Sequence, residues 1–464
     1  MKLFQKNNAD SETRYKLMTT EKVPKLIISM AIPAIISQIV SSLYSLADTY
    51  FVSSIGTAAT AAPGVAFPIL LIIQAISLMF AVGAGSLASR QLGAMDNEEA
   101  NKTVSTAFFL SVFIGTFLGI VCLILLKPIM ILCGATNTIL PYACDYAFWI
   151  ILATPFYSAS FVLSYVIRQE GNVRLATIGT ITGAVVNCVL DPLFIYVFHW
   201  GIVGAAVATS LSQIVSFTIM FTHIIRGKCV LKLSWKYFSA KWKRLWEICK
   251  VGAPNLFQSA LLVIGQIMLN NAAKVYGDGP LAGMNVVTKV SNIIILSLNG
   301  FGQGFQPMCG YCYGAKLYNR IKEGLWFTLK AGLTIIVALS AISYILAPEI
   351  IALFRAGDAE VIDVGSRIMR AHMVVMPLYT VTVVANMMFL SCGKALKAAI
   401  VTLARNGIVF IPLILVLPKL FYLDGVIWAQ PIADAITFAI SGILLVVELK
   451  QLSKGNAELK SSVA

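Results

Sequence analysis

Charge is scarce in this chain. Asp, Glu, Lys and Arg together make up 12% of its 464 residues, and acids are the rarer sign, 21 against 35 bases. A chain so poor in charge and 58% hydrophobic is excluded from the soluble globular class. Histidine is rarer still. His199, His223 and His372 are the only three; they show no metal-ligand spacing and read as interfacial residues near predicted helix ends. The nine cysteines form no disulfide framework. Cys309 and Cys312 have redox spacing but no thioredoxin-like surroundings, so cysteine reads as a small packing residue. Phosphate loops are missing too. Gly300-Phe-Gly-Gln-Gly304 and Gly115 with Gly119 follow no strand and read as close-packing helix faces. No nucleophile with a base gathers at one end of the helices, so neither an enzyme nor a cofactor is expected. The first 24 residues are polar and mixed in charge, without the apolar core of a cleavable signal.

What the chain does have is length in its apolar runs. Twelve spanning candidates lie at roughly 25–50, 60–85, 103–126, 142–166, 175–198, 202–225, 249–274, 282–308, 326–346, 365–390, 398–418 and 424–447. The expected class is an all-α polytopic membrane protein. The expected layout is a cytoplasmic segment 1–24, an N-lobe 25–225, a linker 226–248, a C-lobe 249–448 and a cytoplasmic tail 449–464. With both termini placed inside, nearly all Lys and Arg fall on the inner side. Only Lys127, Lys274, Arg355, Arg367, Arg370 and Lys419 fall opposite, and Lys289 lies within a helix. A net charge of +14 is then explained by basic loops on anionic lipid, with no nucleic-acid partner.

The linker carries Trp235, Phe238, Trp242, Leu245, Trp246 and Cys249 at helical spacing, with Lys and Arg between them. That pattern predicts a basic amphipathic helix on the inner membrane face. On either side of it the two halves match. Ala31-Ile32-Pro33 pairs with Gly252-Ala253-Pro254, Gly56 with Gly277, and Gly93-Ala94 with Gly314-Ala315. Pro155-Phe156-Tyr157 pairs with Pro377-Leu378-Tyr379, Gly171 with Gly393, and Gly204 with Gly425. Matches in one register mean an internal duplication. Six helices per copy is even, so both copies share one orientation, related about the membrane normal. Two pseudo-symmetric six-helix lobes facing a cavity follow.

Polar residues within the runs are the candidate site. Asp48 stands in the first run with no base nearby, at a cost of ~3 to ~10 kcal/mol at membrane depth. Asn187 and Asp191 lie four apart on one face of the fifth, and Pro192 follows. Thr209 in the sixth is placed to donate to such a cluster. The second half has no matching acids: Val409 stands at the Asn187 position. Its polar candidates are Gln258, Gln266, Asn270, Asn271, Lys289, Asn292, Asn299, Gln303 and Gln306, with Asp434 a lone acid in the last helix and Lys289 its conceivable partner. Gln38, Tyr44, Gln258, Lys289 and Gln303 are taken as candidate substrate-cavity residues, and Pro33 and Pro192 as bending points.

The run IPAIISQIVSSLYSLADTYFVSSIG, the NxxxDP of the fifth helix, GIVGAAVAT and the repeat resemble the multidrug and toxic compound extrusion (MATE) family, over about Lys25 to Glu448. The resemblance implies alternating access and efflux of amphipathic, often cationic drugs across the cytoplasmic membrane, driven by H⁺ or Na⁺. It assigns cation coupling to Asp48, Asn187, Asp191 and Thr209, where Na⁺ is the one metal ion to consider. Gln258 stands near the family's seventh-helix glutamate, and no Asp or Glu lies between Met373 and Leu390. The chain therefore resembles the branch named for DNA-damage-inducible protein F, whose coupling lies in the N-lobe. Duplicated lobes let a monomer suffice. The alternative is a lipid-linked oligosaccharide flippase of the same superfamily.

Overall fold

The computed structural model describes residues 2–354 and 359–463; Arg355, assigned above to the base-poor side, lies outside them. Among the described residues every regular element is a helix. In chain order they are α1 (Lys2–Thr20), α2 (Val23–Ser53), α3 (Thr57–Gly93), α4 (Asn97–Ile124), α5 (Leu126–Leu132), α6 (Leu140–Leu152), α7 (Thr154–Gln169), α8 (Val173–Pro192) and α9 (Gly201–Ile225), then α10 (Trp242–Lys274), α11 (Asp278–Gly314), α12 (Tyr318–Ile345), α13 (Ala347–Phe354), α14 (Ala359–Ser391), α15 (Ala395–Leu403) and α16 (Phe410–Val463).

Ten stretches are long and apolar enough to span a membrane, and α6 with α7 forms one more span bent by 54°. Pro155 starts α7. It has no N–H to continue the ladder from α6, which explains the bend. The stretch Ala395–Glu458 is 64 residues long, about twice what a bilayer needs. It is broken at Tyr422 (φ 52°, ψ −130°), so it counts as two spans. Among the described residues this makes twelve candidate spans, the number that the apolar runs predict.

The chain divides into two compact units. One comprises α1 and Ile36–Gly252; the other comprises Glu21–Ile35 and the chain from Ala253 onward. The division falls inside α2, two residues past Pro33, and inside α10, next to Pro254. In the first unit, Gly83 and Gly252 let α3 and the start of α10 meet backbone to backbone. A Cβ built on Gly83 would lie 2.1 Å from the Ile248 carbonyl oxygen, and one on Gly252 would lie 1.9 Å from that of Met79. In the second unit, Gly300 and Gly304 do the same for α11 and the start of α2: their Cβ atoms would lie 2.8 Å from Ile35 Cα and 2.7 Å from Ala31 N.

The linker differs from its predicted form. Residues 226–241 hold one 3-10 turn, Trp235–Tyr237, and continuous helix starts only at Trp242. The reason lies in the backbone partners. Lys232 N–H donates to Asn101 (2.7 Å), Ser234 N–H to Ser105 (3.3 Å) and Ser239 N–H to Thr106 (3.1 Å). Side chains of α4 have taken the place of the helical ladder. Trp235 and Phe238 stack at 4.9 Å, and Phe109 of α4 meets Trp235 edge-on at 4.7 Å. Arg244 closes the strap with an ion pair to Glu99 (2.7 Å).

Glu170, in the turn between α7 and α8, is fully buried and accepts from Leu231 N–H (3.1 Å). Burial pushes its carboxyl up to about 7, against the opposing pull of Arg14 and the 230–231 backbone. A folded value above the usual carboxylate value means the neutral acid is the form the fold favours. Its contribution is full at low pH and lost as pH rises through about 7. The expected result is a wild-type melting temperature that falls across that range and a Glu170→Gln variant with a flatter profile, read by thermal unfolding of the purified protein.

Candidate functional site

The site lies in the first unit, where α2, α8 and α9 converge. Glycines set the distance between α8 and α9. A Cβ on Gly183 would lie 3.0 Å from Ser212 O, and one on Gly204 would lie 3.0 Å from the Phe194 backbone. Two hydroxyl bridges join α2 to the α8 side: Ser37 to Thr180 (2.7 Å), and Ser54, just past the helix end, to Tyr196 (2.7 Å). In sequence they bracket Asp48 on one side and Asp191 on the other. Helix α8 ends at Pro192 and passes into a π-helical turn, Leu193–Val197. The proline removes the donor that Cys188 C=O would use, one turn from Asp191.

Asn187 and Asp191 are both 0% exposed. The Asn187 amide donates to Asp191 Oδ1 (3.4 Å) and to Thr209 Oγ1 (3.3 Å). These are long bonds. The Asp48 carboxyl interacts directly with that of Asp191. Three acceptors are left over: Asp48 Oδ1, Asn187 Oδ1 and Asp191 Oδ2 are buried and find no donor among the described residues. An orphaned buried acceptor costs about 1–3 kcal/mol, more when charged. Such a cluster calls for a positive partner, either a proton shared between the carboxyls or a cation held among the oxygens. Two carboxylates, an amide oxygen and a hydroxyl are hard donors and suit Na⁺ as well as H⁺.

Three tyrosines stand around this group. Tyr44 and Tyr146 lie within electrostatic reach of both carboxylates, and Tyr157 within reach of Tyr44. Tyr146 is 5% exposed. Its run, LPYACDYAFW, offered no sign of this, because an aromatic residue in an apolar helix reads as core.

The remaining candidates are more scattered. Gln38 and Tyr44 are half-buried on α2 in the first unit. Gln258 on α10 and Gln303 on α11 are half-buried in the second unit, and Lys289 is exposed there. Asp434 does not pair with Lys289. It pairs with Arg405 (2.7 Å) and accepts from Gln430 (3.0 Å). Arg405 also stacks on the Tyr379 ring at 3.9 Å. Arg405, which the charge layout assigned to an inner loop, sits on a π-helical turn, Ala404–Ile408, inside the span. His372 is not at a helix end either. Helix α14 starts at Ala359, so His372 lies well inside it, within electrostatic reach of Asp434 and Arg405.

The profile of the MatE family matches residues 33–193 and again 254–416. The chain belongs to the MatE family. The two matches start at residues 33 and 254, 221 apart, the register in which the halves resemble each other. Among curated MatE relatives, the multidrug export protein MepA of Staphylococcus haemolyticus is 25% identical over 413 residues, 89% of this chain and 91% of the relative. The protein of the same name from Staphylococcus aureus is 25% identical over 444 residues, 95% and 97% of the two chains. A multidrug resistance MATE family transporter solved in an outward-facing conformation aligns with a TM-score of 0.86 at 26% identity, covering 94% of this chain and 98% of that one. As a MatE protein the chain is a multi-pass membrane protein.

Proposed function

We propose that this MatE protein is a cation-coupled antiporter that exports amphipathic, often cationic drugs across the cytoplasmic membrane by alternating access. Its relatives are named for multidrug export, and the reading is transport, not catalysis. The observation that carries the coupling is the set of three orphaned, buried acceptor oxygens on Asp48, Asn187 and Asp191. With the cation bound, the carboxylates stop repelling each other. With it released, that repulsion favours another arrangement of α2 and α8, bending at Pro33 and Pro192. Drug and cation favour different arrangements, which is all that antiport requires. Gln38, Tyr44, Gln258, Lys289 and Gln303 are proposed to contact the drug. The excess of basic residues on one set of loops supports a cytoplasmic position for both termini as part of this reading. One chain carries both lobes, so a monomer is the proposed working unit.

The test is transport in proteoliposomes loaded with a cationic dye, under an imposed pH gradient or an imposed Na⁺ gradient at constant pH. The expected result is dye movement under one gradient and none without it. Dye movement indifferent to both gradients would sink the coupling. Movement of a lipid-linked sugar instead of dye would favour the flippase reading.

A further inference from the structure

A second cavity, apart from the acid cluster, lies in the first unit near the ends of its spanning helices. A cavity of about 460 Å³ opens between α1 and the turn that follows α9, lined by Thr13, Arg14 and Leu17 on one side and by Arg226, Gly227, Lys228 and Val230 on the other. Three of these seven residues are cationic, and none is acidic. The span of α9 ends at Ile225 and that of α2 begins at Val23, so the cavity sits where headgroups and water meet.

The three cations are gathered by structure. Helix α1 is docked on the unit by Met18, which is 0% exposed and packs against Gly171. Arg14 is fixed by donating to Gly171 O (3.2 Å). Arg226 and Lys228 are placed by the end of α9, where Gly227 takes φ +70° and Lys228 N–H returns to His223 O (3.0 Å). Neither Arg226 nor Lys228 forms an ion pair among the described residues; both are exposed. Arg14 also lies within electrostatic reach of Glu170, which is fully buried. Like charges held together repel, and an anion in the cavity would reverse that repulsion. A guanidinium fork, an ammonium and a hydroxyl match a phosphate oxygen set, and Leu17 and Val230 offer an apolar wall beside it.

We infer that this cavity binds a phosphate group, carried either by an anionic phospholipid headgroup or by a soluble phosphate compound, and that the bound anion clamps α1 to the strap after α9. The site is independent of the proposed coupling group and is tested by binding alone.

The experiment is thermal unfolding of the full chain in neutral detergent, titrated with short-chain phosphatidylglycerol, the matching phosphatidylcholine, or inorganic phosphate. Phosphatidylglycerol is expected to raise the melting temperature at lower concentration than phosphatidylcholine. In R226Q/K228Q the concentration needed should rise about 30-fold, at the usual worth of two basic residues near an anionic surface. K241Q/K243Q, which removes equal charge from exposed lysines outside the cavity, should respond like wild type. A response to phosphatidylglycerol alone assigns the phosphate to lipid; an equal response to inorganic phosphate assigns it to a soluble source. The site is refuted by an R226Q/K228Q titration that overlays wild type, by equal losses in both double variants, or by wild type that responds to none of the three probes more than another.

Discussion

Asp48→Asn is expected to reduce gradient-driven dye efflux to background, at least about 100-fold if coupling is worth the upper part of the usual range, with normal yield and membrane insertion. The side chains are nearly isosteric, so packing around α2 is kept. What changes is the count of charges opposite Asp191. With both acids present, the group carries more acceptors than donors, and Asp48 Oδ1 and Asp191 Oδ2 are both without one. The asparagine amide can donate to Asp191, giving it the positive-end partner that a proton or cation would otherwise supply. The cluster would then be satisfied in one arrangement with nothing bound, and the gradient would have no purchase on it. Asp191→Asn should behave the same way. Thr209→Ala removes one hydroxyl and leaves both carboxyls, so a smaller loss is expected. Initial rates in proteoliposomes, normalised to reconstituted protein, are the measurement. Wild-type efflux or drug resistance from Asp48→Asn would end the role proposed for the pair.

Asp48, Asn187 and Asp191 were legible in the sequence because the membrane makes them conspicuous. A carboxylate in an apolar run has no cheap place to go, and a four-residue spacing on a helix fixes a shared face. The duplication was legible because glycine and proline mark turns and bends that both copies need. Other features gave no comparable signal. Tyr146 is an aromatic residue among apolar ones, and only the packing of α6 brings it near the carboxyls. The Trp235–Trp246 pattern has helical period, yet part of it became a strap. Its backbone found side-chain partners on α4, which no local pattern reports. Arg405 and Asp434 lie 29 residues apart, and their pairing depends on how α16 packs against the turn before it. The polar N-terminal segment gave no hint of a docked helix, since its anchor is one methionine against a glycine.

Gly83→Val and Gly304→Val are expected to destabilise the protein by at least about 3 kcal/mol each, the upper range for overpacking, and for a shared reason. The first helix of each half is divided between the two units near its proline, and in each unit the crossing is made over a glycine. Gly83 faces the backbone oxygen of Ile248, and Gly304 faces that of Ile27; a Cβ on either glycine would stand 2.1 and 2.8 Å, respectively, from that oxygen. The register of 221 residues that relates the family matches at 33 and 254 also relates Gly83 to Gly304 and Ile27 to Ile248. One contact has therefore been kept twice, once in each unit. A flexible neighbour could yield, but a backbone carbonyl in a helix cannot move without breaking its own ladder. Any β-carbon must push the two helices apart along their whole contact. Gly442, which has open space where its Cβ would be, supplies the comparison. Gly442→Val should change stability by less than about 1 kcal/mol, the helix-propensity range. Thermal unfolding followed by size-exclusion recovery distinguishes the three variants. Equal, small shifts at Gly83, Gly304 and Gly442 would mean that the crossings tolerate separation, and that these helices are not held by close backbone contact.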